Sequence, residues 1–171
     1  MGSRVVPGDK VPRTVHVLPN YIHAMRNNPL KELGTSIGVG LIAGLAGTAA
    51  ITVSQLIEMQ ITKREASDTP IRAVSKVLDV KPVSEEKKAK VNQEIHWTYG
   101  TSWGVARGLI SLAGLSGLPA TAAHFAAVWG SSLVMLPSLD VAPPITEESP
   151  QAISIDVLHH AVYAVATGLV Y

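Results

Sequence analysis

Four ionisable side chains near the ends of apolar segments have the types and spacing to carry chemistry. His96 opens the stretch His96–Gly108, and Asp156, His159 and His160 precede the last apolar segment of the chain. Asp156 and His160 stand four positions apart, so on a helix they share one face and can act together. Imidazole and carboxylate groups bind divalent metals such as Zn²⁺, and imidazole also exchanges protons near neutral pH.

Glu58 and Glu94 bound the polar segment between the first two apolar segments, and they complete this candidate polar cluster. Three interpretations are open. The cluster is a metal site with His96, Asp156 and His160 as ligands, or it is the mouth of a proton or ion pathway. In the third interpretation, the residues of the cluster are ordinary polar residues at the headgroup level of a membrane, where polar and aromatic side chains commonly lie.

Arg107 is a single cation set into otherwise apolar sequence. An arginine inside a membrane span costs about 2.5 kcal/mol or more, and it usually faces the interior of a helix bundle. Its expected partners there are backbone carbonyls, Tyr163, Thr167 or the terminal carboxylate of Tyr171. The alternative is that the side chain snorkels outward to lipid phosphate and only anchors its helix.

His124 is the one readily ionisable side chain in residues 108–139. Thr121 precedes it by about one helical turn, and Ser131 follows it by about two. The residue serves either hydrogen-bonded packing or proton transfer.

The sequence contains no nucleophile motif, Gly-rich phosphate loop or paired-carboxylate hydrolase pattern, so we assign no catalysis and expect no cofactor. There are no cysteines, which excludes Cys-ligated zinc and iron–sulfur clusters. The basic residues of segment 58–94 are balanced by acidic ones, eight against seven, so nucleic-acid binding is not expected.

Apolar segments must position these residues. Residues 34–57 contain no charged side chain in 24 positions, which is long enough to cross a bilayer core that needs about 20 apolar residues. Residues 108–139 hold no Asp, Glu, Lys or Arg in 32 positions, too many for one span, and the turn Gly114–Pro119 divides them. The predicted spans are 34–57, 95–115, 118–137 and 153–171.

Glycines recur at four-residue spacing inside these spans, which places them on one face of a helix. Such small residues let the backbones of two membrane helices touch. The predicted packing residues are Gly40, Gly44, Gly100, Gly104 and Gly108.

The polar segments give the expected topology. Residues 1–28 are predicted to be a flexible tail, and residues 29–171 a four-span membrane domain with a partly helical polar loop at 58–94. That loop is basic near both of its membrane ends, so the positive-inside rule places it in the cytoplasm and both termini outside.

Five strings of the sequence resemble an uncharacterised family of small four-helix integral membrane proteins found in bacterial genomes. The strings are GLAGTAAITVSQLIEM, HWTYGTSWGVARGL, HFAAVWG, LPSLDVAPP and HHAVYAVATG. The resemblance covers about residues 34–171. It implies a multi-pass protein of the bacterial cytoplasmic (inner) membrane, and it supplies no activity.

We therefore predict an all-α integral membrane four-helix bundle with a structural or interaction role. The expected partners are the lipid bilayer and either a second copy of the chain or another membrane protein. One alternative function is a small proton- or ion-translocating protein that uses the polar cluster and Arg107. A second is a metal-dependent membrane enzyme, and a soluble helical bundle with a very apolar core is the alternative architecture.

Overall fold

The computed structural model describes residues 28–80 and 84–171, so the predicted flexible tail lies outside the described residues except for its last position. Residues 33–171 form one compact unit, and residues 28–32 belong to a separate unit. The regular structure of the described residues is entirely helical, which confirms the all-α prediction. The helices are α1 (Pro29–Thr62), α2 (Thr69–Leu78), α3 (Glu85–Leu112), α4 (Gly117–Ser138), a short 3-10 helix (Ile145–Glu147) and α5 (Pro150–Val170).

Helices α1 and α5 each begin with a capping side chain followed by a proline. The Asn28 side chain accepts a hydrogen bond from the Leu30 N–H at 3.0 Å, and Pro29 is the first residue of α1. The Ser149 hydroxyl accepts from the Ala152 N–H at 3.1 Å, with Pro150 as the first residue of α5. Each capping side chain accepts a hydrogen bond from an N–H that otherwise lacks a partner in the first helical turn. Proline fits the first helical position because the N–H it lacks would have no partner there.

The turn between α3 and α4 depends on two glycines. Gly114 has φ of +92° and Gly117 has φ of +55°, conformations that residues with a Cβ rarely adopt. The turn reverses the chain, so α4 returns along α3 and the long apolar stretch is divided where the sequence predicts.

Helices α1 and α3 meet along the five predicted glycines, which we call the glycine seam (Gly40, Gly44, Gly100, Gly104 and Gly108). A Cβ atom added at Gly104 would lie 2.7 Å from the carbonyl carbon of Gly40. One added at Gly44 would lie 2.9 Å from the Cα atom of Gly104. A larger residue therefore fits only if the helices move apart, because the two backbones are in direct contact.

Tyr163 of α5 is the point at which four helices approach each other. Its hydroxyl donates a hydrogen bond to the carbonyl oxygen of Gly100 on α3 at 2.7 Å. Its ring lies 5.6 Å from the ring of His124 on α4. A Cβ atom added at Gly47 of α1 would lie 2.8 Å from the same ring. Tyr163 is only 2% exposed, so it forms part of the core.

The amphipathic helix α2 packs on the polar first half of α3 through Asn92. The Asn92 side-chain amide donates to the carbonyl oxygen of Ser67 at 2.8 Å, and its oxygen accepts from the Ile71 N–H at 3.0 Å. Ile71 and Ala73 are buried, so the first turns of α2 place their apolar side chains against the protein, whereas Val77 and Leu78 near its end are exposed. The predicted polar loop is thus partly helical and is attached to α3.

Two of the described helices, α1 and α5, are long and apolar enough to cross a membrane. Helix α3 does not meet that criterion, because its first half is charged and its second half contains Arg107. Helix α4 lacks Asp, Glu, Lys and Arg, but His124, Pro119, Pro137 and several Gly and Ser residues lower its hydropathy. The structure therefore supports two helices of membrane-spanning character, and four spans stay a prediction.

Candidate functional site

The polar residues predicted to lie at one end of the bundle separate into two groups. One group joins α1 to α5, and we call it the histidine cluster (Ser54, Glu58, Asp156, His159 and His160). The other consists of His96 on α3, which contacts α1 by itself. Glu94 belongs to neither group, since it is exposed and its nearest charged partner is Lys90 on the same helix at 3.9 Å.

His159 lies between two polar side chains of α1. Its Nδ1 is 2.9 Å from the Ser54 hydroxyl, and its Nε2 is 3.9 Å from a carboxylate oxygen of Glu58. Ser54 and Glu58 are four residues apart, so they line one face of α1 in successive turns. The His159 side chain is 6% exposed, and Nε2 has no hydrogen-bond partner. The imidazole is therefore hydrogen-bonded to the partly buried Ser54 hydroxyl, and its other nitrogen faces the Glu58 carboxylate beyond hydrogen-bond distance.

Glu58 is held on the surface side of His159 by Arg64 and Thr62. Arg64 donates to the Glu58 carboxylate at 2.7 Å, and the Thr62 hydroxyl donates to it at 2.8 Å. Lys63 has φ of +59° at the end of α1, which turns the chain so that Arg64 can reach back. These hydrogen bonds hold the pKa of the Glu58 carboxyl below its usual value.

Asp156 and His160 form the second pair of the histidine cluster, on the shared helix face that their spacing predicts. His160 Nδ1 lies 3.2 Å from an Asp156 carboxylate oxygen and 2.9 Å from the Asp156 carbonyl oxygen. Trp129 of α4 donates its indole N–H to the other carboxylate oxygen at 2.8 Å. The carboxylate is thus oriented from two sides, and it ties α4 to α5.

His96 meets a different residue of α1. Its Nε2 is 3.1 Å from the hydroxyl oxygen of Thr52, and that hydroxyl donates its own hydrogen to the Thr48 carbonyl at 2.7 Å. Because the single hydroxyl hydrogen of Thr52 is already used, its oxygen accepts a hydrogen bond from the His96 N–H.

The metal set suggested by the sequence is not assembled. Asp156 and His160 are together, but His96 contacts Thr52 instead of joining them. In residues 28–80 and 84–171, no three His, Cys, Asp or Glu side chains lie close enough to hold a metal ion. The four-residue spacing correctly predicted that Asp156 and His160 lie together. It carried no information about which residue His96 contacts.

Arg107 is buried in the bundle with 3% of its surface exposed, so it does not snorkel outward. Its guanidinium carbon lies 4.3 Å from the centre of the Tyr171 ring, a cation–π contact. Its Nε and Nη1 atoms are buried without a hydrogen-bond partner. None of the predicted bonds, to Tyr163, to Thr167, to backbone carbonyls or to the terminal carboxylate of Tyr171, is formed, and Tyr171 contacts Arg107 through its ring instead.

His124 is completely buried on α4. Its Nε2 lies 3.0 Å from the Trp103 carbonyl oxygen of α3, and its Nδ1 has no partner. The Thr121 and Ser131 hydroxyls donate to backbone carbonyls of their own helix and form no hydrogen bond with His124.

Sequence reasoning missed the hydroxyl groups of α1. Thr52 and Ser54 lie in the stretch 34–57, which contains no charged side chain, and scattered hydroxyl groups in such a stretch do not by themselves indicate a site. The four-residue spacing between Ser54 and Glu58 was the available signal, because it places both on the face that meets His159. Ser54 and His159 have the separation of a nucleophile and its base, but the 3.9 Å gap to Glu58 is too long for the third hydrogen bond of a catalytic triad. The geometry therefore does not assemble a catalytic triad.

A search against protein-family models, curated proteins and solved structures finds no match for this chain. The resemblance drawn from the five sequence strings therefore stays a prediction.

Proposed function

We propose that this chain is a four-span integral membrane protein of the bacterial cytoplasmic membrane with a structural or interaction role. In this proposal α1, the second half of α3, α4 and α5 cross the bilayer. The polar loop at 58–94 faces the cytoplasm, and both termini face outward.

The observation that carries the proposal is an inverted pattern of burial. The largest side chains that are fully buried are His124, Thr48 and Thr167. Large apolar side chains lie on the outside, and Leu118 and Leu169 are 80% and 82% exposed. In water the opposite arrangement is favoured, since burying apolar surface is the main driving force for folding. The pattern suits a protein surrounded by hydrocarbon.

The same pattern holds along the helices of membrane-spanning character. Only 33% of the apolar stretch of α1 and 22% of that of α5 is buried by the rest of the protein. A core helix of a soluble protein would be mostly covered. The exposed apolar faces of α1 and α5 are therefore available to lipid or to another membrane helix.

The position of α2 agrees with the proposed topology. Arg72 of α2 lines a surface cavity together with residues 140–144, which connect α4 to α5. Both connections therefore lie at the same end of the bundle, as four alternating spans require.

Single-cysteine labelling tests the topology directly, because the chain contains no native cysteine. We expect Lys76→Cys and Glu147→Cys to react with a membrane-impermeant maleimide only after the cells are opened. Ser116→Cys should react in intact cells, since the turn between α3 and α4 is proposed to lie outside. Ser116→Cys labelled under the same condition as the other two variants would contradict the four spans, and an exchange of the two patterns would contradict the proposed orientation. Recovery of the protein without detergent would contradict membrane integration.

A structural or interaction role is supported by the glycine seam between α1 and α3 and by the exposed apolar faces of α1 and α5. Purification in mild detergent, followed by mass spectrometry of bound proteins and measurement of oligomer mass, tests it. A stable homo-oligomer or a stoichiometric membrane partner is expected. A monomer that carries no partner would contradict an interaction role.

The histidine cluster favours a second candidate function, proton translocation. Glu58 is partly open to the surface, and Ser54 and His159 continue from it toward the interior. Proteoliposomes loaded with a pH-sensitive dye should then show proton flux that falls at least tenfold in His159→Ala, Glu58→Gln and His160→Ala. Glu94→Gln is the matched control, because that carboxylate lies outside the cluster. Equal flux in all variants and in empty liposomes would remove this candidate.

A further inference from the structure

Arg107 and His124 are two buried side chains with nitrogen atoms that no group of the described protein satisfies. Arg107 is 3% exposed and His124 is 0% exposed. The orphan atoms are Arg107 Nε, Arg107 Nη1 and His124 Nδ1. Buried polar atoms without partners are rare, so each calls for a bound molecule or another specific reason.

The contact with Tyr171 does not satisfy Arg107. The guanidinium carbon lies 4.3 Å from the centre of the Tyr171 ring, but Nε and Nη1 still have no hydrogen-bond partner. None of the Asp and Glu side chains of the described residues forms an ion pair with Arg107 either. The group therefore keeps an uncompensated positive charge, and an anion would compensate it.

His124 packs against the turn of α3 that carries Arg107. The Trp103 carbonyl, which is 3.0 Å from His124 Nε2, belongs to the residue four positions before Arg107. Helix carbonyls point toward the residue four positions later, so the His124 ring sits beside the turn that carries Arg107.

The two orphan groups have opposite hydrogen-bonding character. The Trp103 carbonyl can only accept, so His124 Nε2 carries the hydrogen of the neutral ring. Nδ1 is then an acceptor, whereas the Arg107 nitrogens are donors only. A ligand that satisfies both must accept hydrogen bonds with a negative charge at one atom and donate one from another.

We propose that Arg107 and His124 bind a small, singly charged oxyanion that carries a hydrogen, of the bicarbonate or dihydrogen-phosphate type. The anionic oxygens accept from Arg107, and the O–H group donates to His124 Nδ1. The site goes beyond the proposed membrane role, and it does not depend on proton flux through the histidine cluster.

Bicarbonate and nitrate make a matched pair for the test. Both are planar, singly charged oxyanions of three oxygens, but nitrate has no O–H group. Binding to the full chain in mild detergent is measured by isothermal titration calorimetry, at a pH where bicarbonate is the main species. We expect wild-type protein to bind bicarbonate at least about tenfold more tightly than nitrate, because one hydrogen bond to a buried acceptor is worth about 1.4 kcal/mol.

The variants separate the roles of the two residues. Arg107→Gln should abolish binding of both anions, and His124→Phe should remove the preference for bicarbonate while leaving weak binding of each. Arg64→Gln is the control, because Arg64 is partly exposed and paired with Glu58. If a variant fails to fold, the comparison of bicarbonate with nitrate on wild-type protein still tests whether the site prefers an oxyanion that carries a hydrogen.

Two further arms identify the source of the ligand. Dihydrogen phosphate at a mildly acidic pH should compete with bicarbonate, because it offers the same groups. Equal affinity for bicarbonate and nitrate would overturn the proposal, and so would the absence of heat from either anion. Binding of phosphate only in the form of an anionic lipid would also overturn it, since the site would then be a lipid contact.

Discussion

Helix α1 makes two contacts of different kinds, one with α3 and one with α5. Toward α3 it presents Gly40 and Gly44, whose backbones touch the backbone of α3. Toward α5 it presents Ser54 and Glu58, whose side chains meet His159. Around Gly40, Gly44 and Gly104 the two backbones leave no room for side chains, whereas the contact with α5 at Ser54 and Glu58 consists of them.

The two contacts therefore serve different purposes. Close backbone approach gives van der Waals attraction over a long stretch, and it stabilises a helix pair in lipid without polar groups. Hydrogen bonds between side chains add less stability, but they keep ionisable groups in the interior where they can act. Substitutions in the two contacts should accordingly differ in the size and in the kind of their effect on stability.

The largest effect is expected at the centre of the glycine seam. Gly104→Ala places a Cβ atom 2.7 Å from the Gly40 carbonyl carbon, and neither backbone can move aside independently. We expect a loss of about 3 kcal/mol or more, the upper part of the usual range for overpacking. Circular dichroism during titration of mild-detergent micelles with SDS measures it.

Gly38→Ala is the matched control on α1, since nothing lies within 4 Å of the added atom. That change should be neutral or stabilising by up to about 1 kcal/mol, because alanine favours the helix. If the two variants lose the same stability, the seam is not a direct backbone contact.

An intermediate effect is expected at the hydrogen bond between α5 and α3. Tyr163→Phe removes the 2.7 Å bond to the Gly100 carbonyl and leaves the ring packing in place. The expected loss is about 0.6–1.5 kcal/mol in the same SDS titration, the range found for hydrogen bonds between membrane helices. Tyr99→Phe serves as the comparison because Tyr99 is 44% exposed, and a loss as large as that of Tyr163→Phe would contradict the assignment.

The smallest effect is expected at the surface end of the histidine cluster, and it depends on pH. The pKa of Glu58 is lowered in the folded protein by hydrogen bonds from Arg64 and Thr62. A lowered folded-state pKa contributes stability above the unfolded value of about 4.3, and this stability is lost as the pH falls through the folded-state pKa.

Wild-type protein should therefore unfold at a slightly higher temperature than Glu58→Gln at pH 7, by no more than about 4 °C, because the Arg64 partner is partly exposed to solvent. The difference should vanish on acidification. Thermal unfolding in detergent at several pH values measures it, and a difference that grows toward low pH would reverse the sign of the proposed shift.

Features that depend on spacing along one helix were predictable from the sequence. The four-residue glycine spacing identified residues that lie at the α1–α3 contact, and the i, i+4 relation of Asp156 and His160 identified a pair that lies together. Asn28 and Ser149 were identifiable as caps for the same reason, since capping is decided within a few residues.

Features that depend on the rotation of one helix against another were not predictable. His96 and His160 were expected to share a cluster because both lie at the same depth, but they face different partners. The burial of Arg107 under Tyr171 depends on where α5 ends relative to α3. Hydropathy could not distinguish these arrangements, because it records depth and not direction.

The hydroxyls of Thr52 and Ser54 are two residues apart on α1 and bind histidines of two different helices, His96 of α3 and His159 of α5. Since an α-helix moves as a stiff rod, any slide or twist of α1 must strain both bonds in the same instant. A displacement of the His96 ring is thus transmitted through α1 to the His159 ring, although the two residues belong to separate parts of the chain.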